Sequence, residues 1–227
     1  KLLVERPNEE LEFSSDQVRQ ILIESLSGLR KRRLHCKIAD AILGHYSTVP
    51  ESQFIPLATN LDACGRHEEA LTYFVPAAEH ASQNYHVQLG EYLWHNVAEI
   101  SEELENQRDL MGRACGELGN LAVYSSRYDE AENFYTKAVD LFPENHPSSF
   151  FWKIKRASCI GQRGDIQNMN DTLTALLPGV LATGDSELEA WCRCYLGISL
   201  WEKGDSENSI EHLLASRSIF QSSGRAD

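Results

Sequence analysis

The chain has 227 residues, 42% hydrophobic, with 21 basic against 34 acidic side chains and a formal net charge of −13. That length buries one to two domains' worth of core. The negative balance disfavours nucleic-acid and anionic-membrane surfaces, which need a positive field. No apolar run approaches the ~20 residues of a membrane helix and no signal peptide opens the chain, so the expected compartment is cytoplasmic.

The first segment, "KLLVERPNEELEFSS", alternates apolar and polar residues on both sides of Pro7 and Asn8 and reads as a short β-hairpin. A helix follows, capped by Ser15 or Asp16, with Val18, Ile21, Leu22 and Leu26 as its apolar face. The next, "LRKRRLHCKIADAILGHY", sets Leu34, Ile38, Ile42 and Leu43 on one stripe. Its basic run, Arg30 to Arg33, has no interleaved aromatic residue and reads as a solvated helix start rather than a phosphate site.

Over most of the chain the pattern is paired amphipathic helices. The clearest pair is "ELGNLAVYSSRYDEAENFYTKAVDLFP", Glu117 to Pro143. Cys115, Leu118 and Gly119 fall on its first helix, with Gly119 as the small crossing residue. Tyr128 opens the second helix, Ala131 and Ala138 are its small contacts, Tyr135 is the large one, and Pro143 ends it. Ala78, Ala157 and Gly197 repeat the small position of Gly119 at intervals of 41, 38 and 40 residues. A second register competes upstream, with Leu57 and Ala58 on a helix before Gly65 and Ala70, Phe74 and Ala77 on the next. The even spacing favours treating Gly65 and Arg66 as a turn between repeats. Pro76 lies inside a helix in either register, where a kink is expected.

This pattern resembles the tetratricopeptide repeat, a helix-turn-helix unit of about 34 residues, over most of the chain. The resemblance implies an all-α, right-handed solenoid of antiparallel helix pairs. The order "LEFSSDQVRQILIESLSGLRKRRLHCKIADAI" also resembles the junction between a winged-helix element and tetratricopeptide repeats in signalling ATPases of the STAND class. Phe13, Val18, Ile21, Leu29, Arg32, Leu34, His35, Ile38 and Ala39 carry that likeness, while Ser15 stands where many relatives have His. The segment "ALTYFVPAAEHASQNYHVQLGEYLWHNVAEI" is similar to the repeats of ATPase-linked adenylyl cyclases in this class. The resemblance implies two regions: residues 1–26 as the end of a winged-helix-like element and residues 27–227 as the solenoid. It also implies a regulatory arm within a larger ATPase or cyclase. Lys1 in place of Met, and the trailing "QSSGRAD", fit a segment of a longer protein.

The sequence carries no constellation of nucleophile and base, so no catalytic residue, cofactor or metal ligand is assigned. No GxxxxGK[ST], GxSxG or HExxH motif occurs, the eight histidines are scattered, and no two of the six cysteines are spaced as CxxC. The cysteines read as buried free thiols. Asn170-Asp171-Thr172 matches a glycosylation sequon without a secretory signal.

What remains is a binding surface. By repeat position Thr72, Glu79, Arg113, Asn120, Tyr124, Phe151, Ser158, Trp191, Ile198 and Trp201 point to the inner, concave face. Tyr124, Trp191 and Trp201 are the expected anchors, because desolvated aromatic residues dominate binding energy. Trp94 and Trp152 read as packing between repeats. The expected partner is a protein, a peptide or another domain of the same chain. Asn120 sits where carboxylate-clamping repeats place an asparagine, but the matching lysine position is Gly116. The alternatives are a small-molecule sensor, which requires an enclosed pocket, and a free-standing scaffold with an open groove.

Overall fold

In the computed structural model the described residues are 3–5, 11–13, 15–104 and 106–223. Leu3–Glu5 pairs antiparallel with Leu11–Phe13, Leu3 opposite Phe13. The expected turn at Pro7 and Asn8 lies outside the described residues. The rest is helical: α1 (Asp16–Ser25), α2 (Gly28–His45), a 3-10 turn (Glu51–Gln53), α3 (Phe54–Ala63), α4 (His67–Gln83), α5 (Val87–Glu103), α6 (Arg108–Tyr124), α7 (Tyr128–Asp140), α8 (Pro147–Gln162), α9 (Ile166–Thr183), α10 (Ser186–Glu202) and α11 (Ser206–Ser222). Among the described residues no helix is long and apolar enough to cross a membrane. The contacts divide into two units, Lys1–Ala77 and Ala78–Asp227, with the division inside α4 one residue after Pro76.

In the first unit α2 packs on α3, but not through the stripe expected from its apolar residues. Leu34 and Ile38 are each 45% exposed and Ile21 is 65% exposed. The packed face is instead Arg32, His35, Cys36 and Ala39. Arg32 Nε donates to Cys64 O (2.9 Å), and His35 Nδ1 lies 2.9 Å from Asn60 Oδ1. Ala39 is fully buried. These positions recur at i, i+3, i+4 and i+7, so they share one side of the helix. Small and polar side chains permit the close approach that lets Arg32 reach the carbonyl end of α3. Of the basic run, Arg32 thus serves the fold.

The turns explain the repeat spacing. Tyr85, Ser126, Gly164 and Gly204 have φ of 56°, 57°, 97° and 84°, and their positions are 41, 38 and 40 residues apart. Each forms the same helix ending, in which the next residue's N–H reaches back to the carbonyl five residues earlier. The bonds are His86 N to Ala81 O, Arg127 N to Ala122 O, Asp165 N to Ile160 O and Asp205 N to Leu200 O. This is the Schellman arrangement, which needs one left-handed residue.

Gly65 (φ 84°) makes the same turn, Arg66 N bonding to Leu61 O at 2.9 Å. Arg66 pairs with Glu69 and Asp40 as Arg127 pairs with Glu130 and Glu91. The turn before α4 is therefore of the kind found within repeats, and α4 shares features of both registers. A turn between pairs looks different: at Gly184 (φ 70°) the Gly184 N–H bonds to Leu181 O, and the Asp185 N–H bonds to Thr183 Oγ1.

In the second unit consecutive helices pack as antiparallel neighbours, and α8 also touches α10. One core gathers Cys115, Ala122, Ala131, Tyr135, Ala138, Phe142, Trp152 and Cys159. The next gathers Phe150, Ile154, Ala157, Met169, Leu173, Val180, Leu188, Cys192 and Leu196. Gly119 earns its place by close approach, since a Cβ there would lie 2.7 Å from the Tyr135 ring. All six cysteines are free. Asn170 is 7% exposed and donates to Ser199 Oγ (2.9 Å), so the sequon asparagine is part of the packing.

Candidate functional site: an aromatic groove across α6, α8 and α10

Three helices present their N-terminal halves to one open cavity of about 590 Å³. From α6 come Asp109, Leu110, Arg113 and Glu117. From α8 come Pro147, Ser148, Phe151 and Trp152, and from α10 Glu187, Leu188 and Trp191, with Phe142 and Asp185 at the ends of the preceding turns. Local sequence sets these starts. His146 Nδ1 accepts from Ser148 N at 3.2 Å and Pro147 fills the first turn of α8, while Asp185 caps α10. The floor is aromatic and aliphatic. The rim holds four carboxylates, Asp109, Glu117, Asp185 and Glu187, against one guanidinium, Arg113.

Arg113 is itself engaged: its Nη2 lies 2.5 Å from Glu79 Oε1, and its guanidinium sits 5.5 Å from the centre of the Trp94 ring. Phe151 and Trp191 bracket a further cation. The Lys155 ammonium lies 4.7 Å from the Trp191 centroid, 5.6 Å from Phe151 and 5.7 Å from Tyr195, with the Tyr195 hydroxyl at 3.4 Å. Three ring faces stabilise a partly desolvated cation through their quadrupoles. Trp191 also stacks on Tyr195 and meets Phe220 edge-on.

A smaller cavity of about 220 Å³ adjoins it, sharing Glu117 and lined also by Ser82, Gln83, Tyr85, Asn120, Leu121 and Tyr124. Tyr85 and Tyr124 meet edge to face with centroids 5.4 Å apart. Partial burial, then Tyr85, Glu117 and Tyr195, raise the Tyr124 phenol above its ordinary pKa.

Of the residues expected on the inner face, Arg113, Phe151 and Trp191 come together around the larger cavity, and Asn120 and Tyr124 around the smaller one. Glu79 joins through its ion pair with Arg113. Ser158 is only 5% exposed, because α8 is packed by α7, α9 and α10. Ile198 and Trp201 are exposed, Trp201 at 60%, and line neither cavity. Thr72, in the first unit, is exposed with its hydroxyl bonded to Glu69 O at 2.6 Å. Trp94 and Trp152 are buried packing residues. A carboxylate clamp does not fit, since a Cβ at Gly116 would lie 2.3 Å from the Trp152 ring and Asn120 Oδ1 already accepts from Tyr135 (2.8 Å).

Sequence reasoning passed over Lys155, Tyr195 and Tyr85. The first two were within reach of it, since each lies four residues after a named aromatic, Phe151 or Trp191, and so on the same helical face.

Residues 112–145 match the sequence family described as tetratricopeptide repeat. No curated protein sequence matches the chain. Among solved structures, the apo form of RapI superposes with a TM-score of 0.65 at 11% identity, covering 93% of this chain. This chain spans 60% of the RapI chain. The kinesin light chain TPR-like repeats of Podosopora anserina give 0.54 at 16% identity, over 88% of this chain and 99% of that one. BtubC from P. vanneervenii gives 0.52 at 12% identity, over 88% and 93%. At such identities the likeness is one of fold: the helical part of the chain has a tetratricopeptide-like fold.

Proposed function

We propose that this chain is a non-catalytic protein-interaction module that receives a peptide segment of a partner, or of its own longer chain, in the groove across α6, α8 and α10. The observation that carries the reading is the open cavity of about 590 Å³ lined by the partly exposed Phe151 and Trp191, over the buried Trp152, with four carboxylates at its rim. Partly exposed aromatic residues gain most from desolvation by a partner, and a carboxylate rim selects for Lys or Arg beside the apolar anchor. An open groove supports a macromolecular partner over a small inducer, which is held in enclosed space.

Selection of a random displayed-peptide library on the immobilised chain tests this. Enriched peptides should combine basic and apolar residues and weaken about tenfold on Phe151→Ala or Trp191→Ala, the loss of one anchor. Peptides indifferent to both substitutions, or no enrichment, would remove the reading.

The finer placement is a cytoplasmic sensory or autoregulatory arm of a larger signalling ATPase or nucleotide cyclase, with residues 1–26 ending a winged-helix element and residues 27–227 forming the solenoid. It rests on the junction likeness between Phe13 and Ala39. Nucleotide turnover of the full-length protein with and without this segment tests it. Deletion should change the rate, and turnover that is equal or absent in both would leave an interaction module alone.

A further inference from the structure

Tyr85 occupies a position that the fold elsewhere assigns to small residues. Its φ of 56° matches a turn site filled by Gly65, Gly164, Gly204 and Ser126. A bulky side chain pays a steric penalty in this region of backbone space, and glycine does not. Burial does not offset the penalty, because Tyr85 is 68% exposed. Its contact is Tyr124, itself 59% exposed, meeting it edge to face at 5.4 Å. Two exposed tyrosines, one on a strained backbone, wall the cavity of about 220 Å³ that continues the larger groove through Glu117.

We propose that Tyr85 and Tyr124 dock a proline-rich segment in the polyproline II conformation, with a basic residue of that segment directed to Glu117. The proposal rests on the reading of the inner face as a peptide groove and names its occupant. A polyproline II segment has no internal hydrogen bonds, so its carbonyls seek donors while its pyrrolidine rings lie flat on aromatic faces. The site offers both. Tyr85 and Tyr124 bring aromatic rings to the lining, and Gln83 and the two tyrosines are lining residues whose side chains carry donor groups. An amphipathic helix would need a broad aliphatic trough, whereas Leu121 is the one aliphatic residue among those lining this cavity. Glu117 and the chain's net charge of −13 supply the complement to Lys or Arg.

The test uses an acetylated oligoproline with one N-terminal arginine, titrated calorimetrically against the chain, beside a probe with alternate prolines replaced by alanine. The oligoproline should bind about tenfold tighter than its control. Tyr85→Gly should weaken it about tenfold while the thermal midpoint holds or rises, since glycine relieves the turn. Tyr124→Ser gives a second reading of the same loss without altering the turn. Equal binding of both probes, unchanged binding by both variants, or a fall in midpoint for Tyr85→Gly would overturn the proposal. If library peptides bind the groove but oligoproline does not, this proposal falls and the groove reading stands; if neither binds, both fall.

Discussion

Gly116 of α6 and Trp152 of α8 share a space that admits one side chain. A Cβ on Gly116 would sit 2.3 Å from the indole carbon Cζ2. Trp152 is 4% exposed and held by Phe151 at 4.7 Å and Tyr135 at 6.1 Å, so it has nowhere to move. Gly116→Ala should therefore destabilise by about 1–3 kcal/mol, even after the gain of roughly 1 kcal/mol in helix propensity. Urea unfolding measures it. Gly116→Lys, which restores the side chain of a carboxylate clamp, should cost more and create no affinity for acidic tails.

Lys155 should link α8 to α10 through its aromatic seat. A double-mutant cycle of Lys155→Met and Trp191→Leu, read by chemical denaturation, should give a coupling of about 0.5–1 kcal/mol. The Arg113 and Glu79 side chains are 44% and 35% exposed, so Glu79→Gln should shift stability by no more than about 1 kcal/mol, an effect that fades in high salt.

Thiol labelling should follow burial. Desolvation pushes Cys159 up to about 11 and Cys192 up to about 12, and raises Cys64, Cys115 and Cys194. The thiolate is the reactive form. In mildly alkaline buffer the half-buried Cys36 should label first, and Cys159 and Cys192 only on unfolding. Peptide mapping of a labelling time course would show it, and early modification of Cys192 would contradict it.

His212 should make stability fall on acidification. Burial first, and then Arg193, whose Nη1 lies 3.5 Å from His212 Nδ1, lower its pKa below the ordinary 6.5. Well above 6.5 the imidazole is neutral in both states and has no effect. Below it the unfolded chain binds the proton more readily, so stability is lost as pH drops toward the lowered folded value. Replacing His212 by Gln should flatten this part of the thermal midpoint against pH, and an unchanged slope would assign it to other groups.

Helix pairs and turns were legible in the sequence, since each is decided within about six residues. The spacings of 41, 38 and 40 found at Ala78, Gly119, Ala157 and Gly197 return in the structure as those of the left-handed residues Tyr85, Ser126, Gly164 and Gly204. Small residue and turn lie on one continuous helix at a fixed separation, so a local pattern was enough.

The exposed surface was less legible. Periodicity says which side of a helix a residue occupies, not what stands opposite. It paired Trp191 with Trp201, yet neighbouring helices put one in the groove wall and left the other outside both cavities. It also drew the face of α2 through Leu34 and Ile38, where packing against α3 chose Arg32, His35, Cys36 and Ala39. The sequence by itself determined the helices and the positions of their turns, through periodicity and backbone sterics, but it read the turn at Gly65 as one between repeats where the structure builds the within-repeat kind. Tertiary structure alone decided that Arg113 meets Glu79, that Lys155 rests on three rings and that Tyr85 stands beside Tyr124, because each depends on residues brought together from different helices.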